Sequence, residues 1–376
     1  MRITKISVKG LFGMFDHEIP LNRESRITIV HGPNGVGKTV LMRMVYDLFN
    51  GEYEVIAQTH FADVCIEFEN GSEICVLRSA DSQRLTFRYE ENANKDFGPI
   101  ILELPFEDYG SSYNYFMNRP EWIKRIRTET KTELIHTFRL QKDFFDDYGL
   151  PTIESYDLRG DSHEPAVEKL INDSLQNYAY KGAFEISQTN VRLLELILSS
   201  RKAGIEIVQD DVTEINLAEG LTKRYPELGE LWESLEGIIE DWDLMGFDDY
   251  INELLLFLDI INERILFKSL DLFETRLQFI FKADNGDDIP LSALSSGEQH
   301  LFILYFQLLF IIPPNTLVMI DEPELSMNVV WQRNFLKDLQ RIVELRKFDV
   351  LIATHSPQII HDKWDWVVHL GEKVDD

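Results

Sequence analysis

One short segment limits what this chain can fold into more than any other feature. A strand-like apolar run at 27–30 leads into a glycine-rich turn and then into an amphipathic helix with apolar residues at 40, 41, 44, 45 and 48. The turn reads Gly32-Pro33-Asn34-Gly35-Val36-Gly37-Lys38-Thr39. Glycines here let successive backbone N–H groups point at phosphate oxygens, and the helix N-terminus adds partial positive charge. The segment predicts a phosphate loop in which Lys38 neutralises the β and γ phosphates and Thr39 ligates Mg²⁺.

Polar residues at the ends of two later strands complete the predicted site. The apolar run 317–320 ends in Asp321 and Glu322, and the run 350–353 is followed closely by His355. Because parallel strands end at one edge of a sheet, beside the phosphate loop, we expect Asp321 to hold Mg²⁺ and Glu322 to act as the general base. A lone histidine is more often structural, but its place after this strand favours a hydrogen bond to the γ-phosphate or the attacking water.

A third motif, Leu294-Ser295-Ser296-Gly297-Glu298-Gln299, precedes an apolar helix. A serine followed by glycine at a helix N-terminus favours an anion site, here formed by Ser295, Ser296, Gly297 and Glu298, that can grip a γ-phosphate presented by another subunit. The alternative is an ordinary serine helix cap. Ser296 and Glu298 depart from the more common Leu-Ser-Gly-Gly-Gln form, so the position of the motif carries more weight than its letters.

The charge distribution divides the chain into parts. Between Pro151 and Pro290 there are 12 Lys or Arg and 30 Asp or Glu, a balance of 12 − 30 = −18 out of the total of −28. Apolar residues in this stretch recur at helical spacing, as at 193–198 and 254–265, whereas the ends alternate apolar strands with helices. We therefore predict an α/β head split into residues 1–150 and 286–376, with a mostly parallel sheet, and an inserted acidic all-α domain at 151–285.

Composition excludes several classes of protein. A charge of −28 disfavours a general nucleic-acid coat. The N-terminus lacks the apolar core of a signal peptide, and the apolar run 301–312 is too short to cross a bilayer, so we expect no membrane association and a cytoplasmic location. Cys65 and Cys75 fall on what look like neighbouring strands and can touch, but we expect two buried thiols in a reducing cytosol.

Together and in this order, these motifs resemble the ABC-type ATPase heads of the SMC, RecF and OLD families, and more closely the bacterial anti-phage ATPases of the PARIS, Septu and retron systems. The resemblance covers residues 1–140 and 286–376, and is most specific at 294–300, 320–326 and 353–360. It implies a P-loop NTPase head of ABC type with an antiparallel N-terminal lobe, and ATP and Mg²⁺ as cofactors.

The same resemblance implies a homo-oligomer with ATP sandwiched between heads, each copy closing the other's pocket through Ser295 and Gly297. Residues 326–328 match the loop after the carboxylates, with Asn328 where relatives often carry His or Asp. The glutamine loop of such heads has only weak candidates, Gln58 and the stretch 138–139.

Two functions remain open. The first is an ATP-hydrolysing switch that serves an anti-phage defence system and controls a separate effector such as a nuclease, since only 376 − 355 = 21 residues follow His355. Its partners include that effector and a phage-derived trigger or DNA; the acidic segment is a partner-binding or simply a solubilising surface. The second is a RecF- or SMC-like DNA-repair clamp, because residues 1–50 hold seven Lys or Arg against four Asp or Glu. A transporter ATPase is less favoured because the long insertion and the strands after Phe61 resemble the SMC and RecF side.

Overall fold

The computed structural model describes residues 1–51, 53–79, 84–91, 100–105, 121–136, 247–273, 278–290 and 293–371. The chain divides into two compact units, one of residues 1–152 and 312–376, and one of residues 153–311. The three-part division at 150/151 and 285/286 stays a prediction. In the described residues no helix is both long and apolar enough to span a membrane.

The secondary structure is mixed. The described strands are, in chain order, β1 (Ile3–Leu11), β2 (Phe15–Pro20), β3 (Ile27–His31), β4 (Asp63–Phe68), β5 (Glu73–Arg78), β6 (Arg84–Glu90), β7 (Ile100–Pro105), β8 (Lys131–His136), β9 (Lys268–Phe273), β10 (Gln278–Ala283), β11 (Asp288–Ile289), β12 (Thr316–Asp321), β13 (Asp349–Thr354) and β14 (Val367–His369). The described α-helices are α1 (Lys38–Asn50), α2 (Glu54–Gln58), α3 (Glu121–Glu129), α4 (Phe247–Arg264), α5 (Ser296–Phe306), α6 (Val329–Arg346) and α7 (Pro357–Ile360).

A five-stranded sheet in the first unit carries the phosphate loop. Its order is β14-β3-β13-β12-β8, and every neighbouring pair is parallel. All residues of β12 and β13 are buried, as expected for parallel strands covered on both faces. The predicted strands at 27–30, 317–320 and 350–353 are therefore confirmed, and their carboxyl ends meet at one edge.

A six-stranded antiparallel sheet forms the N-terminal lobe, in the order β2-β1-β4-β5-β6-β7. Apolar residues alternate along its strands, so that Ile6 and Val8 of β1 and Ile66 of β4 lie on the buried face. The buried face packs with α1, whose Leu41, Met44, Val45 and Leu48 belong to the same core. The lobe and the loop helix are thus parts of one hydrophobic core.

The two cysteines do not match the expectation of free thiols. Cys65 on β4 lies directly opposite Cys75 on β5, and the sulfurs form a disulfide. An antiparallel pair brings directly opposed side chains close together, so the register itself permits the bond. Cys75 is buried, whereas Cys65 is only half-buried.

The second unit is described from residue 247 onward. Phe257 of α4 packs against Phe302 and Phe306 of α5 and against Phe310 of the π-helix Gln307–Ile311. Strands β9, β10 and β11 form a small antiparallel sheet. Because β9 and β10 fall within residues 151–285, the prediction that this insertion is all-α is wrong for them. Residues 193–198 and 138–139 lie outside the described residues.

Candidate functional site

The phosphate loop joins β3 to α1, as the sequence predicts. Gly35 and Gly37 have φ of +86° and +96°, which favour glycine, and α1 begins directly after Gly37. Gly37 has no side chain to bond the first backbone N–H groups of the helix. The residues 33–35 are exposed, and a Cβ added at Gly35 would meet no atom within 4 Å. The loop therefore presents an open side next to the N–H groups of a helix terminus, which suits a phosphate.

Neighbouring elements hold the loop in place from behind. A Cβ at Gly32 would stand 2.5 Å from the carbonyl oxygen of Leu370, just after β14, and one at Gly371 would stand 2.8 Å from Val36 Cγ1. The buried His17 of β2 places Nε2 2.8 Å from the Val36 carbonyl oxygen. The loop is thus fixed by both sheets before any ligand binds.

Lys38 is buried at the first position of α1. Its Nζ lies 2.8 Å from the Gly32 carbonyl oxygen, 3.1 Å from that of Pro33 and 2.7 Å from His355 Nε2. Burial lowers the pKa of Lys38, although the carboxylates of Glu322, Asp321 and Glu324 oppose the shift. The ammonium is therefore directed towards the loop interior, and phosphate oxygens can replace the carbonyl contacts.

Thr39 and Asp321 form a pair of oxygen ligands. Thr39 Oγ1 donates to Asp321 Oδ1 at 3.2 Å, and Asp321 ends the buried strand β12 with 8% of its surface exposed. Mg²⁺ prefers oxygen ligands and binds with one or two protein groups beside phosphates and water. This donor set fits the predicted ion.

Glu322 follows with an unusual backbone. Its φ of +49° and ψ of +56° are left-handed for a residue that is not glycine, and its N–H donates to the Ala353 carbonyl at 2.8 Å. Such conformations cost of order 1–3 kcal/mol and persist where the surroundings enforce them. Glu322 Oε1 lies 3.7 Å from His355 Nε2, so the predicted base and histidine are neighbours.

Two residues at this edge carry no prediction from the sequence. Glu324 accepts hydrogen bonds from the backbone N–H of His355 at 2.8 Å and of Ser356 at 3.1 Å. His31, the last residue of β3, lies against the rings of Trp364 and His369 at 6.1 and 5.7 Å. Burial, followed by the nearby charges of His369, His355 and Lys38, lowers the pKa of His31. Their positions, one just after the carboxylates and one just before the loop, are the only signals in the sequence.

The serine motif begins α5 in the second unit. Ser295 is exposed and occupies the N-cap, where its Oγ accepts from the Glu298 N–H at 3.4 Å, while Glu298 Oε2 accepts from the Ser295 N–H at 2.8 Å. Lys268 Nζ lies 2.9 Å from both oxygens of Glu298. This arrangement is a capping box, so the ordinary serine cap is present. The predicted anion site of residues 295–298 stays a prediction.

A family profile described as "AAA domain, putative AbiEii toxin, Type IV TA system" matches residues 27–361. No curated protein matches the chain.

Several solved structures resemble the chain at low identity. The SMC head domain from Thermotoga maritima is 13% identical over 96% of this chain and 91% of that one, with a TM-score of 0.38. An SmcHead bound to the C-winged helix domain of ScpA is 13% identical over 98% and 94%, with a TM-score of 0.44. A Smc head domain with an extended coiled coil, bound to the C-terminal domain of ScpA derived from Pyrococcus furiosus, is 15% identical over 98% and 93%, with a TM-score of 0.43.

The family profile runs from the first residue of β3, before the phosphate loop, to just beyond His355 and α7, so it contains all the motifs described above. The fold of the first unit is mixed α/β, with a parallel sheet that carries the phosphate loop and an antiparallel N-terminal lobe, as predicted. Because the match covers well over half of the sequence, the chain belongs to the family described as AAA domain, putative AbiEii toxin, Type IV TA system.

Proposed function

We propose that the chain binds MgATP at the edge of the parallel sheet and hydrolyses it to ADP and phosphate. One observation carries this proposal: side chains from three separate stretches, 38–39, 321–322 and 355, converge beside the phosphate loop. A buried cation, a pair of oxygen ligands and a carboxylate base together supply what phosphoryl transfer to water requires.

Each residue has a distinct role. Lys38 exchanges its contacts with the loop carbonyls for contacts with the β and γ phosphates. Thr39 and Asp321 hold Mg²⁺, which neutralises charge on the phosphate oxygens when bound. Glu322 accepts the proton of the water that attacks the γ-phosphorus, and His355 donates a hydrogen bond to a γ-phosphate oxygen or orients that water.

Two variants test this assignment. Lys38→Ala should abolish nucleotide binding, because the loop loses its only buried cation among the described residues. Glu322→Gln should bind MgATP as the unaltered chain does but hydrolyse it at least about 100-fold more slowly, since the base is removed without loss of volume. Glu344→Ala, at an exposed position on α6, is the matched control. Unchanged hydrolysis in Glu322→Gln would show that the assignment of the base is wrong.

We propose further that two copies enclose ATP, with Ser295 and Gly297 of one copy facing the phosphates held by the other. Ser295 is exposed at the start of a helix, so it is accessible to a second copy. A phosphate loop alone hydrolyses slowly, and charge stabilisation supplied in trans can accelerate the reaction roughly 10³-fold or more. Turnover would then depend on assembly, and the protein would act as a switch.

The biological role we propose is the ATPase component of an anti-phage defence system that controls a separate effector, such as a nuclease, in the cytoplasm. The family description, which includes a putative toxin of a toxin–antitoxin system, supports a defence role. The acidic stretch 151–290, with its balance of −18, is a candidate surface for the effector. Co-purification of the product of a neighbouring gene with the Glu322→Gln chain, and its loss with Lys38→Ala, would support this role; the absence of any partner in both would count against it.

The DNA-repair clamp is less well supported. Four of the seven basic residues in 1–50 form ion pairs with carboxylates and so contribute little net positive charge. The pairs are Arg2–Asp349, Lys5–Glu18, Lys5–Glu67, Arg23–Glu69 and Arg43–Asp47. Tight binding of duplex DNA by the purified chain at physiological salt would reverse this preference.

A further inference from the structure

We propose that Glu324 is a positioning residue that holds His355 against Lys38 and Glu322. The inference builds on the proposed ATPase function and assigns a role to a side chain that contacts neither phosphate nor water in that scheme. Glu324 lies in the 3₁₀ turn Pro323–Ser326, directly after the two site carboxylates. It reaches across to the loop after β13, 31 residues further along the chain.

The contact is made by one carboxylate oxygen and two backbone donors. Glu324 Oε1 accepts from the N–H of His355 at 2.8 Å and from that of Ser356 at 3.1 Å. Glu324 Oε2 is also buried, and it has no hydrogen-bond partner among the residues that the structure describes. Taking a carboxylate out of water is costly unless it is hydrogen-bonded, and hydrogen bonds to an ionised acceptor are about twice as strong as neutral ones. The geometry therefore favours a firm connection between the two loops.

A second connection runs parallel to the first. Gln332 of α6 donates from Nε2 to the Met327 carbonyl at 2.9 Å and accepts at Oε1 from Ser356 Oγ at 2.7 Å. The turn after β12 and the loop after β13 are thus joined by two side chains, Glu324 at His355 and Ser356 and Gln332 at Ser356. These contacts fix the backbone of His355 and therefore the point from which its side chain extends.

The fixed backbone matters because the His355 ring lies at short distances from two other site residues. His355 Nε2 lies 2.7 Å from Lys38 Nζ and 3.7 Å from Glu322 Oε1. A displacement of about 1 Å at a reacting group can cost about 100-fold in rate. Loss of the Glu324 carboxylate leaves the His355 N–H without this acceptor, whereas the Ser356 N–H keeps Thr354 Oγ1 at 3.0 Å. The backbone at His355 is then less restrained, so we expect the chemical step to slow more than the binding of nucleotide weakens.

Amide hydrogen exchange tests the contact itself, without any need for turnover. In Glu324→Ala, the amide of His355 should exchange at least about tenfold faster, because it loses its acceptor, while the amides of β3 should not change. The amide of Ser356 keeps Thr354 Oγ1 as an acceptor and should change less. The control Glu344→Ala should leave both regions unchanged. Glu324→Gln, which keeps the volume and one acceptor oxygen, should lie between the two. Unchanged exchange at residue 355 would overturn the proposal.

Kinetics tests the role. Glu324→Ala should lower kcat by about 10- to 100-fold and change the dissociation constant for MgATP by less than about threefold. In a His355→Ala background the same substitution should have almost no further effect on kcat, because a residue that acts through His355 has nothing left to position. Independent, multiplying effects of the two substitutions would show that Glu324 acts elsewhere. If the unaltered chain hydrolyses no ATP, the proposed function is wrong. The exchange experiment still tests whether Glu324 holds the backbone of His355, because it does not depend on hydrolysis.

Discussion

Two glycines of the phosphate loop allow a sharp test, because they face opposite environments. A Cβ at Gly32 would stand 2.5 Å from the Leu370 carbonyl oxygen, whereas ordinary contact begins near 3.4 Å, so the backbone after β14 must move by about 0.9 Å. That movement would disturb the hydrogen bond of 2.8 Å from the Leu370 N–H to the His31 carbonyl. Overpacking of this kind typically costs about 1–3 kcal/mol. Because the added Cβ meets backbone and not a flexible side chain, we expect Gly32→Ala to lower the free energy of unfolding by about 3 kcal/mol, near the upper end of this range.

Gly35→Ala should behave differently. No atom lies within 4 Å of the added Cβ, so the cost is limited to a left-handed φ of +86°, about 1–2 kcal/mol. The methyl group, however, projects into the open side of the loop where we place the phosphates. Chemical denaturation without nucleotide should therefore show the larger loss for Gly32→Ala.

Adding nucleotide then distinguishes damage to the fold from damage to phosphate binding. For the unaltered chain, ligand at 100 times its dissociation constant adds about 2.7 kcal/mol of stability. Gly35→Ala should lose most of this gain although its fold is the less damaged. If Gly35→Ala kept the full gain, or if both variants were equally stable without nucleotide, the account of how the loop is held and where phosphate binds would be refuted.

Three further predictions concern single contacts. Cys75→Ser should lower the free energy of unfolding by up to about 3 kcal/mol, because a cross-link over a sequence separation of 10 restricts the unfolded chain. In urea denaturation, dithiothreitol should lower the free energy of unfolding of the unaltered chain by a similar amount. Burial alone would raise the pKa of Glu298, but hydrogen bonds from Lys268 and Ser295 together hold it below its ordinary value of 4.5. The capping box therefore stabilises α5 above that pH, so Glu298→Gln should cost about 1 kcal/mol at pH 7, and the difference should shrink as the pH falls below about 4.5 in parallel denaturation series. Asp321→Asn should raise, at least about tenfold, the Mg²⁺ concentration at which nucleotide stabilises the fold. A titration of the melting temperature with Mg²⁺ measures this concentration. An unchanged titration would show that Asp321 is not a ligand of the ion.

The sequence predicts the parallel sheet well because its strands are short apolar runs with a chemical signal at their ends. Asp321 ends the buried strand β12 and His355 follows the buried strand β13, and the carboxyl ends of parallel strands meet at one edge of the sheet. Lys38 could be placed because the glycines before it and the helix that begins at it fix the local backbone. The predicted residues that the structure brings together are those that such local rules determine.

The missed features depend on tertiary contacts. The role of Glu324 arises from backbone donors 31 and 32 residues away, and a backbone N–H leaves no mark in a sequence. The disulfide depends on the register of β4 and β5, which places Cys65 opposite Cys75, whereas a composition with two cysteines favours free thiols. Strands β9 and β10 carry alternating apolar residues, Leu270 and Phe281 among them, but they are short and follow a long helix. The strong helical pattern of the preceding residues therefore leads us to predict helix for the whole segment, including this short strand pair.

The most direct test of the central claim, that two copies enclose each ATP, mixes two inactive variants. On our proposal Lys38→Ala should not bind nucleotide and Ser295→Ala should not close the pocket of its mate, so neither variant should hydrolyse ATP alone. In an equal mixture, pairs containing one copy of each possess one intact composite site, and the activity should rise to roughly a quarter of that of the unaltered chain. A mixture as inactive as its components, or a Ser295→Ala chain that is fully active by itself, would contradict the claim.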